Sequence, residues 1–199
     1  MTKIVMATNN ANKLREAREI FSELDIEILS LKDINVECDP DENGQTFKGN
    51  AGIKAKAIYN AIAEKSGVNM AVFADDSGLC VDALDGRPGV HSARYAPKGQ
   101  ECAKLLGEMK DVPADKRTAR FVCSIVFIDE KGMSLEASGA CEGSIGYEEK
   151  GTNGFGYDPV FMVGDRTMAE MSADEKNAIS HRGAALRELY RVLKERYGE

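Results

Sequence analysis

The apolar run Lys3-Ile4-Val5-Met6-Ala7 opens into a polar turn over residues 8–13 (TNNANK), and helix-spaced apolar residues Leu14, Ala17, Phe21 and Leu24 follow it. A short buried strand handing over to an amphipathic helix is the unit from which layered α/β folds are built. Asn12 is the expected N-cap of that helix. A second helix is expected from near Phe47, with Ala51, Ala55, Ile58 and Ile62 as its apolar stripe. Residues 71–74 (AVFA) read as a short strand that ends at Asp75-Asp76, with Ser77 and Gly78 in a tight turn. Residues 120–128 form the longest β-rich run, and a strand pair is expected over about 135–145. The last helix is expected over about 178–197, with Leu186, Leu189, Tyr190 and Leu193 facing inward. Helices and strands mix throughout, so the fold class is α/β with a mixed sheet.

A chain of 199 residues suits one domain of generous size or two small lobes. Its 26 basic and 33 acidic residues give a formal charge of −7, which argues against a protein that coats nucleic acid. A small phosphorylated ligand is still compatible, because a local group of Lys and Arg can serve it. The five cysteines include no C-x-x-C pair and are odd in number, which points to a reducing cytoplasm rather than a disulfide framework or zinc site. The N-terminal run meets polar residues too early for a signal peptide, and no apolar run reaches membrane-span length.

Four segments carry chemistry-bearing residues. Residues 8–13 lie between strand and helix, where unpaired N–H groups suit an anion and Lys13 adds an ammonium; the plainer reading is an ordinary polar turn. Residues 74–78 (ADDSG) put two carboxylates side by side, an arrangement relieved by a cation such as Mg²⁺ that keeps several waters; an Asp-rich turn is the alternative. Residues 151–161 (GTNGFGYDPVF) set Phe155 and Tyr157 among three glycines, where a backbone can approach a ligand and a ring can stack on a base. A flexible hairpin with core aromatics fits the same letters. Residues 175–186 (EKNAISHRGAAL) gather Lys176, His181 and Arg182 as donors for a base or phosphates, or as solvated surface groups. Other motifs fail: GQTFKG has Asn50 where a P-loop lysine belongs, GFGYDP lacks the last glycine of a dinucleotide fingerprint, and no H-E-x-x-H or G-x-S-x-G is present.

Taken in order, the stretches TNNANKLRE, GQTFKGNAGIKA, FADDSGLCVDALDGRPGVHSARYA, KDVPADKRTARF, GTNGFGYDPVF and MAEMSADEKNAISHRGAAL resemble the inosine triphosphate pyrophosphatase family, the bacterial dITP/XTP branch in particular. The likeness runs from Thr8 to the last helix. It implies a single two-lobed domain over residues 1–199, with an elongated mixed sheet, flanking helices and a central active-site cleft. It implies hydrolysis of inosine, deoxyinosine and xanthosine triphosphates to the monophosphate and pyrophosphate, a Mg²⁺ cofactor, a cytoplasmic location and a homodimer, with no nucleic-acid or membrane partner.

Position by position, the resemblance assigns Thr8, Asn9, Asn10, Ala11, Asn12 and Lys13 to the substrate phosphates. Asp76 becomes the proton acceptor and a metal ligand, with Asp75 beside it. Glu42 becomes the second metal carboxylate and Lys54 a phosphate-side lysine. Ser77, Phe155, Gly156, Tyr157, Asp158, Lys176, His181 and Arg182 are assigned to the nucleoside. The chain departs from the family pattern at His91, where Tyr is common, at Asn9, a frequent glycine position that a positive φ would favour, and at Lys48-Gly49, where acidic residues are usual. Gly52 weakens the second helix a little. A Maf-type pyrophosphatase is disfavoured by the missing opening motif and by Ser180-His181-Arg182. A nucleotide-sensing module is disfavoured because a pure binder gains nothing from carboxylates that repel a triphosphate.

Overall fold

The structure, a computed structural model, describes residues 2–22 and 26–197; Leu24, expected on the inner face of the first helix, lies outside them. In chain order the elements are β1 (Thr2–Met6), α1 (Ala11–Phe21), β2 (Ile26–Leu29), α2 (Phe47–Ser66), β3 (Ala71–Val81), α3 (Glu101–Glu108), β4 (Thr118–Ile128), β5 (Ser134–Ile145), β6 (Phe161–Val163), β7 (Arg166–Thr167), α4 (Ala173–Ile179) and α5 (His181–Tyr197). The strands form one open sheet in the order β2-β1-β3-β4-β5-β6-β7. β1 is parallel to β2 and β3, whereas β5–β6 and β6–β7 are antiparallel, so the sheet is mixed as expected.

The chain divides into two compact units. The first holds the residues up to Asp76, then Cys123–Gly139 and the chain from Arg182 onward; the second holds Ser77–Val122 and Ala140–His181. In the first unit the two-residue period of the strands sorts side chains between two cores. Ile4, Met6, Phe73, Ile125 and Phe127 join Ala17 and Phe21 of α1 and Leu186, Leu189 and Leu193 of α5. Val5, Val72, Ala74, Val126 and Ile128 join Ala51, Ala55, Ile58 and Ile62 of α2. The α1/α5 layer therefore covers one sheet face and α2 the other. The second unit packs Leu79, Val81, Phe121, Ile145 and Phe161 with Cys102 and Leu105 of α3.

Four local expectations change. Asn10, not Asn12, is the N-cap of α1, and its side chain accepts from the N–H groups of Asn12 and Lys13. β3 does not stop at Asp75-Asp76 but runs on through Ser77 and Gly78 to Val81, so those residues form no turn. Residues 134–145 are one strand rather than a pair. The final helical stretch is two helices, because Ser180 takes an extended conformation (ψ 151°) that closes α4 before α5 begins. A capping box between Ser172 and Glu175 starts α4.

Candidate active site

Asp75 and Asp76 occupy successive positions in β3, an inner strand between β1 and β4. Alternation sends Asp75 to the Phe73 face and Asp76 to the Val72/Ala74 face. Each carboxylate then meets the helices of its own layer. Asp75 Oδ2 lies 3.0 Å from Lys13 Nζ of α1 and accepts from Arg182 Nε of α5 at 3.1 Å. Arg182 Nη1 donates to Glu16, also on α1. Glu16, Asp75 and Arg182 are all buried, so this is an ionic chain closed off from water.

On the other face, Asp76 Oδ2 accepts from Asn50 Nδ2 at 3.0 Å, and its Oδ1 lies 3.5 Å from Lys54 Nζ. The same ammonium donates to Glu42 Oε2 at 3.1 Å. Asn50 and Lys54 are one helical turn apart on α2, which brings both to the same carboxylate.

These surroundings drive the two acids apart. Burial pushes Asp75 up, but Lys13, Arg182 and Lys54 outweigh it and hold the carboxyl well below the ordinary range. At Asp76 burial prevails over Lys54, the Asn50 hydrogen bond and Lys13, and the net shift is upward. Adjacent acids thus carry opposite shifts, set by the faces they serve.

Across these contacts the three cations Lys13, Lys54 and Arg182 face four carboxylates, Glu16, Glu42, Asp75 and Asp76. Carboxylates placed this close to a polyphosphate repel it unless cations offset them. The hard oxygen donors of Asp76 and Glu42 already converge on one positive group, Lys54 Nζ. That donor set fits Mg²⁺, which takes one or two protein carboxylates and completes its shell with water and phosphate oxygens. Among the described residues no group of three or more His, Cys, Asp or Glu is placed to cage a metal.

The polar turn before α1 is already internally bonded. Asn10 N–H donates to Thr8 Oγ1, and Asn10 Oδ1 takes the N–H groups of Asn12 and Lys13. Asn9 is exposed and needs no left-handed backbone, since the positive φ values of non-glycine residues fall at Asn35 and Asp85.

In the second unit, Asp158 organises the glycine-rich segment. Its Oδ2 accepts from Phe155 N–H at 2.8 Å and from Lys176 Nζ at 2.7 Å. Lys176 Nζ also lies 4.6 Å from the Phe155 ring centroid. Gly154, at φ 75°, lets this happen: a Cβ there would sit 2.0 Å from Asp158 Oδ2. Tyr157 is a core residue whose hydroxyl donates to the Ser92 carbonyl at 2.8 Å, while Gly156 is exposed. His181 stacks on Phe121 with centroids 4.7 Å apart. Ser77 is half-buried on β3, and His91 is exposed.

The sequence-predicted residues thus fall into two sets. Lys13, Glu42, Lys54, Asp75, Asp76 and Arg182 share contacts in the first unit, and Phe155, Asp158 and Lys176 share contacts in the second. Arg182, expected with the nucleoside residues, also pairs with Asp75 and Glu16. Sequence reasoning missed Glu16 and Asn50. Asn50 carried a usable signal: it is a polar residue eight positions before Ile58, on the buried stripe of α2.

The same fold occurs in solved structures. One of a HAM1 protein from Coxiella burnetii matches with a TM-score of 0.84 at 41% identity, covering 98% of this chain and all of that one. The Staphylococcus aureus Ham1 protein matches with a TM-score of 0.83 at 36% identity. Among curated proteins, the dITP/XTP pyrophosphatase of Clostridium perfringens is 44% identical over 98% of both chains. That of Clostridium tetani is 46% identical over 98% of this chain and 97% of its own. The Ham1 family profile matches residues 4–192. The chain belongs to the Ham1 family.

Proposed function

We propose that this chain hydrolyses inosine, deoxyinosine and xanthosine triphosphates (ITP, dITP and XTP) to the monophosphate and pyrophosphate. The observation that carries the reading is the convergence of Asp76 and Glu42 on one cation, in a chain 44% identical over 98% of its length to a dITP/XTP pyrophosphatase.

In this reading Asp76 and Glu42 hold Mg²⁺, which when bound would offset the carboxylates and neutralise phosphate oxygens. Asp76 takes the proton of the water that attacks the α-phosphorus. Lys13 and Lys54 steady the phosphates, and the Thr8–Lys13 turn receives them once a phosphate oxygen replaces Asn10 Oδ1 on the N–H groups of Asn12 and Lys13. Pyrophosphate leaves with its charge compensated by the same groups.

The nucleoside falls to Ser77, the Phe155–Asp158 segment, Lys176 and His181. Arg182 is placed with them by the family resemblance, and its Nε and Nη1 also donate to Asp75 and Glu16. Inosine and xanthosine offer an acceptor at O6 and a donor at N1, and adenine offers the reverse. Donors at the O6 position leave buried groups unpaired against adenine.

Pyrophosphate release from a panel of nucleoside triphosphates, with and without Mg²⁺, tests this. The expected result is kcat/KM for ITP and XTP at least about a hundredfold above ATP, with loss of activity on chelation. Equal rates on ATP overturn the base assignment. A cytoplasmic location is supported by five free cysteines; among the described residues no helix is long and apolar enough to cross a membrane. A homodimer rests on the family resemblance, and light scattering at the mass of the 21.6 kDa chain would exclude it.

A further inference from the structure

Asn50 is almost fully buried (1% exposed) at the start of α2, on a face otherwise made of alanine and isoleucine. A buried amide must satisfy both its ends. Its Nδ2 donates to Asp76 Oδ2 at 3.0 Å, and its Oδ1 accepts from Gly44 N–H at 2.8 Å. The two bonds fix the amide's orientation, because a flipped group would set oxygen against carboxylate and NH₂ against N–H.

The two ends reach the two halves of the proposed metal site. Asp76 is held directly. Glu42 is held through its own segment, since Gly44 is two residues along the chain. The fit at Gly44 is close: a Cβ there would lie 2.6 Å from Asn50 Oδ1. Lys54, one turn further on α2, addresses the other Asp76 oxygen and Glu42 itself. One face of one helix therefore sets both the rotation of the Asp76 carboxylate and its spacing from Glu42.

We infer that Asn50 is a positioning residue for a divalent cation: its side-chain amide clamps Asp76 and the Glu42 segment in the geometry that binds the metal. The inference rests on the reading of Asp76 and Glu42 as metal carboxylates. Groups that orient metal ligands without touching the metal typically change affinity by about 10- to 100-fold when removed.

The test uses Asn50→Ala, which removes the amide, and Asn50→Leu, which removes it while keeping the volume. Two quantities are measured well below the melting temperature: the Mg²⁺ concentration giving half-maximal pyrophosphate release, and Mn²⁺ binding followed by electron paramagnetic resonance. The expected result is that both weaken together by about tenfold or more. A folded variant that keeps both within twofold of the parent overturns the inference. Failure of both variants to fold also overturns it, by placing Asn50's role in the core. Glu42→Gln and Asp76→Asn, run in parallel, should lose Mn²⁺ binding; if they keep it, the metal reading itself fails, whatever Asn50 does.

Discussion

Asp75 and Asp76 are neighbours in the chain yet serve opposite faces of one sheet, Asp75 meeting α1 and α5 and Asp76 meeting α2. The arrangement lets two carboxylates be adjacent in sequence without sharing an environment. It also makes their replacements behave in opposite ways.

Asp75→Asn should destabilise the protein by about 3–5 kcal/mol at neutral pH, because buried Arg182 and partly buried Lys13 lose their shared anion. The fold holds Asp75 below its ordinary value of 3.8, so its ionised form stabilises the native state. That contribution is fully present above pH 3.8 and is lost as the pH falls from there toward the lower folded-state value. Denaturant midpoints measured from pH 7 downward should therefore fall more steeply in the parent than in the variant on the acid side. Parallel curves would show that Asp75 is not the anchor of this network.

Asp76→Asn should behave in the reverse sense. Its folded-state value is raised, so the contribution is present below the ordinary 3.8 and lost as pH rises through the folded value. Removing the charge at pH 7 should leave the melting temperature unchanged or higher. Hydrolysis should drop by several orders of magnitude, with nucleotide binding by calorimetry largely kept. A variant with near-normal turnover ends the catalytic assignment.

Glu16→Gln should cost about 1–3 kcal/mol, since Arg182 keeps a neutral acceptor in place of an anion. Paired with Asp75→Asn, the losses should be non-additive by about 1 kcal/mol or more, because both residues hold one guanidinium. A double-mutant cycle in denaturant gives the number; strict additivity removes the network.

Lys176→Met should lower kcat/KM for ITP by about 10- to 100-fold and narrow its advantage over ATP, through loss of a charged donor. The Mg²⁺ requirement should not move, because Lys176 belongs to the second unit, with Asp158 and Phe155, and Asp76 and Glu42 to the first. An unchanged ITP-to-ATP ratio would remove Lys176 from base selection.

The sequence exposed what is periodic and local. The β1–α1 entry, the α2 stripe and the long β4 run follow from apolar spacing, and each is found within a few residues of its expected bounds. The continuation of β3 was hidden because Asp-Asp-Ser-Gly has poor strand propensity. It is overridden by Lys13, Lys54 and Arg182, which arrive from three helices distant in sequence. Likewise residues 134–145 run as one strand through Ser138-Gly139 and Glu142-Gly143, and its end pairs at Ser144–Met162 and Ile145–Phe161. For the candidate site, motif order supplied the residue types, but which face each would serve depended on the layer its helix joined. Glu16 and Asn50 became visible only then.

β3 also has a consequence for motion. At its start it is paired with β1 through Ile4–Ala71, Val5–Val72 and Met6–Phe73, and β4 lies along its other side. Amide protons in such an inner strand exchange with solvent only when most of the fold opens. A substrate analogue that binds the native state alone should slow deuterium uptake at residues 71–73 by the full factor 1 + [L]/Kd, although the ligand touches none of them.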